Sequence, residues 1–143
     1  MATDGWTDAE RAAMKERAAE LRAEGGKGGA KKADALQALL DKIEEMSGTD
    51  RVVAERLHAV VTEHAPALQP KTWYGMPAYA NAHGKVVVFF QPAEKFEARY
   101  ATIGFQDEAR LDDGDLWPVT FAVVAWTDAV QAKVVDLVRT AVG

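Results

Sequence analysis

The sequence predicts an α+β fold: a two-layer sandwich whose antiparallel sheet is covered on one face by two helices, with a helical N-terminal extension in front. Three observations predict it. Segments near 50–65 and 128–142 repeat apolar residues at helical spacing. The stretch between them breaks into short runs of β-branched and aromatic residues divided by Pro, Gly and Asn. The N-terminal third is rich in Ala and charge and is interrupted by a glycine run at 25–29.

Taken in order, Thr7-Asp8-Ala9-Glu10 forms a capping box, so a first helix starts there. Met14, Ala18 and Leu21 share its apolar side, which is thin because the remaining candidates are Ala; this helix is expected to dock loosely or through a partner. Residues 25–32 read as a Gly/Lys linker, because four glycines in five residues cost too much backbone entropy for a helix. A second helix follows over about 33–46 with Leu36, Leu39, Leu40 and Ile43 in phase. In the third, Val53, Leu57, Val60, Val61 and His64 make one continuous stripe, and Pro66 and Pro70 stop it.

Extended pieces come next: 71–74, 77–80, 85–90, 100–105 and 119–124, the last opening only after Pro118. Thr127-Asp128 caps a final helix with Val130, Val134, Leu137, Val138 and Ala141 in phase. Two helices with matching stripes around a set of short strands give a two-layer arrangement with both helices on one side. The expected division is an extension over 1–48 and an α+β domain over 49–143.

Bulk properties narrow the function. The 143 residues suit one domain, and 48% hydrophobic content places the chain among ordinary globular proteins. The absence of Cys removes disulfides, thiolate metal sites and a Cys nucleophile, and fits a reducing compartment. The start of the chain has no basic and apolar leader, and no apolar run approaches a spanning helix, so a cytoplasmic location and no membrane association are expected. A net charge of -5 opposes general binding to nucleic acid.

The run Pro70-Lys71-Thr72-Trp73-Tyr74-Gly75-Met76-Pro77-Ala78-Tyr79, the strand Val86–Phe90, the run Tyr100–Phe105 and the segment Asp112-Asp113-Gly114-Asp115-Leu116-Trp117-Pro118 carry a resemblance. Over about 49–142 the chain resembles the YdhG-like domain of unknown function, a frataxin-related group in which some relatives are described as iron chaperones. The resemblance implies the helix–sheet–helix architecture and makes iron a candidate cargo. It does not extend to the first helix or the glycine run.

Two sets of residues are candidates for a site. Asp107, Glu108, Asp112, Asp113 and Asp115 crowd one connection, and clustered carboxylates suit hard cations such as Fe(II), although the spacing lacks the EF-hand pattern and also suits a solvated Asp-Gly loop. Trp73, Tyr74, Met76, Tyr79, Phe90, Gln91, Lys95, Tyr100 and Trp117 are the candidates for an apolar pocket on the sheet face that the two helices leave open. That face would be covered by a ligand, by a partner or by the N-terminal helices.

Enzyme chemistry is not indicated. Ser47 is the only serine and lies outside any nucleophile elbow, and the linker lacks phosphate-loop spacing. His58 and His64, six apart, fall on different sides of a helix. The expectation is a non-enzymatic binding protein handling iron or a small ligand. The alternative is a protein–protein interaction module, for instance a homodimer with no small ligand.

Overall fold

The computed structural model describes residues 5–24 and 28–143. Among these residues four helices, α1 (Asp8–Glu24), α2 (Gly28–Glu44), α3 (Gly48–His64) and α4 (Asp128–Ala141), accompany five strands. These are β1 (Gln69–Trp73), β2 (Met76–Ala80), β3 (Val86–Gln91), β4 (Ala101–Phe105) and β5 (Thr120–Val123). All strands join one antiparallel sheet in chain order, β1-β2-β3-β4-β5. The α+β sandwich expected from the sequence is the architecture found.

Register fixes which side chains face the helices. Tyr79 lies opposite Val88, and Val88 opposite Phe105. Phe90 lies opposite Ile103, Ile103 opposite Phe121, and Ala101 opposite Val123. Paired residues share a face. That face meets Val53, Leu57, Val60 and Val61 of α3 and Val134, Val138 and Ala141 of α4 in one apolar cluster. Complete burial of side chains the size of Leu57, Phe90 and Phe105 contributes about 1.5–3 kcal/mol each, so this layer dominates stability.

The second helix departs from expectation in two ways. It begins at Gly28, so residues 28–32 are helical rather than linker, whereas 25–27 lie outside the described residues. Its Leu39 and Ile43 are buried in the same cluster as α3 and α4. It therefore does not cover the opposite sheet face, and its docking stabilises the extra N-terminal turn that glycine content alone would disfavour.

Prolines sit where the ladder tolerates them. Pro70 is on β1, at the sheet edge, and Pro77 pairs with Thr72 of β1 before the pairing with β3 begins at Ala78. The strand at the other edge, β5, pairs only with β4.

The face away from the helices carries a smaller cluster of Met76, Ala78, Val86 and Phe89, bordered by Trp73, Tyr74 and Phe96. The Phe89 ring lies across Gly104, leaving no room for a Cβ there. Phe96, from the loop after β3, packs against this cluster.

Candidate functional site

The link between β1 and β2 is a two-residue hairpin. Trp73 pairs with Met76, and the intervening Tyr74 and Gly75 both have positive φ, 54° and 75°. Positive φ at both central residues is the mark of a type I′ turn, whose twist matches its strands. A non-glycine residue in this region is uncommon, so Tyr74 carries a local cost that other interactions must offset.

Those interactions come from α1. The two Glu20 carboxylate oxygens accept hydrogen bonds from the backbone N–H groups of Tyr74 and Gly75, each at 2.9 Å. One turn earlier, Glu16 accepts from Lys42 of α2 at 2.6 Å through one oxygen and from Lys95 at 2.8 Å through the other. Lys95 Nζ also donates to the Gly75 carbonyl at 3.2 Å. A Cβ on Gly75 would displace the Glu16 carboxylate and the Lys95 ammonium, and the positive φ strains any side chain there. Arg17 stands over the Tyr74 ring, 5.9 Å from its centre.

The charges reinforce one another. Burial works against the charged form of Glu16, but the hydrogen bonds and charges of Lys42 and Lys95 outweigh it and hold the carboxyl below its ordinary 4.5. Burial likewise opposes the Lys42 ammonium, yet Glu16, with Glu45 behind it, raises Lys42 above its ordinary 10.5.

A third carboxylate closes the same end of the sheet. Asp50, buried in the first turn of α3, accepts from the N–H groups of Ala93 and Glu94 at 3.0 Å each and ties α3 to the loop after β3. Between these anchors lies a cleft of about 420 Å³ bordered by Glu16, Lys42, Ser47, Asp50, Gly75 and Lys95. Ser47 is the N-cap of α3, but its side chain makes no cap hydrogen bond, so the hydroxyl is available at the cleft.

Of the residues expected to line a pocket, Lys95 is at this cleft and Trp73, Tyr74 and Met76 gather beside it on the reverse face. Tyr79 and Phe90 do not: both are buried in the main core. They are one step out of phase with Ala78 and Phe89, so the aromatic ring that β3 gives to the reverse face is Phe89. Burial pushes the Tyr79 phenol far up, and its hydroxyl lies 3.0 Å from His58 Nδ1. His64, at the end of the stripe, is half-buried at the edge of the core, with Nε2 2.9 Å from a Glu63 carboxylate oxygen. Gln91 ends β3 opposite Thr102, Tyr100 is exposed beside Arg99, and Trp117 packs against the main core. These three do not join the others.

The acidic set behaves as a solvated loop. Asp107, Glu108, Asp112, Asp113 and Asp115 are exposed, and Glu108 accepts from Asn81 Nδ2 at 3.1 Å. Among the described residues, no three His, Cys, Asp or Glu side chains come together as a metal-binding group. None of the described helices is long and apolar enough to cross a membrane.

Sequence reading missed Glu16, Glu20, Lys42 and Asp50. Their one local signal is the four-residue step between Glu16 and Glu20 on a helix otherwise dominated by Ala and exposed charge. Compared with protein-family models, with curated proteins and with solved structures, the chain matches none.

Proposed function

We propose that the chain is a non-enzymatic binding module of the YdhG-like, frataxin-related type, and that it binds a small polar ligand in the cleft beside Lys95. Support for the kinship is the order helix, five-strand meander, helix, together with the Trp73–Pro77 hairpin. The observation that carries the ligand reading is the meeting of both charge signs and a free hydroxyl around one concavity: Lys42 and Lys95, Glu45 and Glu94, and Ser47. A zwitterion of amino-acid size matches that lining. The exposed loop at 107–115 gives iron no comparable seat, since its carboxylates point into water without converging.

Nothing at the cleft is poised for turnover. Lys42 and Lys95 are engaged by Glu16, Asp50 is engaged by two amides, and among the described residues no base hydrogen-bonds to Ser47.

The experiment is a titration followed at backbone amides, with a panel of amino acids in one arm and Fe(II) in the other. Amino acids are expected to move Ser47, Gly75 and Lys95 and to leave 107–115 in place. The proposal is lost if no panel member moves Gly75, or if Fe(II) broadens Asp112, Asp113 and Asp115 first.

A further inference from the structure

We propose that the Tyr74 and Gly75 amides, with Lys42 and Lys95, form a binding site for a diacid, and that α1 keeps this site filled with its own Glu16 and Glu20. The inference rests on the reading of the cleft as a ligand site and adds a chemical class and a built-in competitor.

Four donors converge on α1, and none belongs to it. Two are consecutive backbone N–H groups, which take one carboxylate with one bond to each oxygen. The other two are ammonium groups, which take a second carboxylate in the same way. Such a pair of two-pronged seats specifies two carboxylates. Their separation is that of Glu16 and Glu20, four residues along a helix, or about 6 Å of rise.

The seats are also braced by parts of the fold other than α1. The amides are fixed by the hairpin closed at Trp73 and Met76. Lys95 is tied to the Gly75 carbonyl, and Lys42 projects from a helix anchored in the core by Leu39 and Ile43. By contrast α1 buries Ala13 and leaves Met14 39% and Leu21 53% exposed, so apolar burial holds it weakly. In sequence, α1 is joined to the rest through Gly25-Gly26-Lys27-Gly28-Gly29.

Removal of the two glutamates would leave the Lys95 ammonium and two amides around Gly75 without an anion, and Lys42 with Glu45 alone, so the donors would be open to another anion. A free diacid whose carboxylates are separated by four methylenes spans a comparable distance.

The test uses the full chain carrying Glu16→Ala and Glu20→Ala, titrated with adipate, acetate and inorganic phosphate while the Tyr74 and Gly75 amides are observed. Adipate is expected to act at concentrations at least about tenfold below acetate, because the second carboxylate binds with the first already anchored. It should also act at least about tenfold below what the unaltered protein requires. Adding Lys42→Ala and Lys95→Ala should remove the difference between adipate and acetate.

Methyl signals of Leu57 and Val138 report folding; if the double variant is unfolded, Glu16→Gln with Glu20→Gln carries the same titration. Equal responses to adipate and acetate, equal responses of variant and unaltered protein, a stronger response to phosphate, or no response each overturn the proposal. If the unaltered protein binds amino acids while the variant ignores adipate, this proposal alone falls. If the variant binds adipate while no amino acid binds, the zwitterion reading alone falls.

Discussion

Helices α1 and α4 flank the same small protein and are attached by opposite chemistries. The 14 residues of α4 bury Val134, Val138 and Ala141 against the sheet, with charge confined to the outer side. The 17 residues of α1 dock through Glu16 and Glu20, while the apolar side marked by Met14, Ala18 and Leu21 faces outward. Apolar burial is non-directional and adds up with area, whereas carboxylates docked on amides and ammonium groups depend on geometry and on protonation. Loss of α4 would open the core. Loss of α1 would expose a hairpin turn and two lysines.

The largest effect should come from the side of the molecule that α4 shares with α3. Leu57→Ala removes a fully buried side chain and should cost about 2–5 kcal/mol in denaturant unfolding. A cost below 1 kcal/mol would mean that the cluster is looser than its burial indicates.

The helix caps sharpen the contrast. The Thr127 hydroxyl accepts from the Val130 N–H at 3.2 Å, and Thr7 accepts from the Glu10 N–H at 3.0 Å. Thr127→Ala should lower global stability by about 1 kcal/mol. Thr7→Ala should leave the unfolding midpoint nearly unchanged and speed hydrogen exchange only within α1, a local opening. Equal shifts in the midpoint would show that α1 unfolds with the core.

Acid gives the smallest and most selective effect. The folded-state pKa of Glu16 lies below its unfolded value, so its contribution is complete above about 4.5 and fades as pH falls through the lower, folded value. Exchange measured on residues 8–24 and 128–141 should show α1 losing protection in that range while α4 retains it. Simultaneous loss would remove the distinction between the two attachments.

The legible parts of the sequence were those whose meaning is local. The stripe Val53, Leu57, Val60, Val61 and that of Val130, Val134, Val138, Ala141 place two helices, and the capping box at Thr7 forms both of its bonds. Phase within β3 was not legible, because Val86-Val87-Val88-Phe89-Phe90 is apolar throughout and offers no alternation to separate its faces. Phe90 was misplaced for that reason, and Tyr79 because Met76–Ala80 of β2 is likewise apolar and buried throughout. Of the cleft, Lys95 and the neighbouring Tyr74 could be named from the aromatic corner. Their partners could not, since Glu16 reaches Lys42 and Lys95 across 26 and 79 residues, Glu20 reaches Gly75 across 55, and Asp50 reaches Ala93 across 43. Charge pairs at such separations leave no periodic trace.

Because the strands lie in the sheet in the order in which they occur along the chain, every ladder joins sequence neighbours. Each hairpin can close after only a short stretch of backbone has been restrained, so the sheet carries little loop-closure entropy of its own. The distant encounter is between α3 and α4, which stand at opposite ends of the meander and meet over one face of it. The search for that meeting, rather than strand registration, is where the time spent reaching the native state should be concentrated.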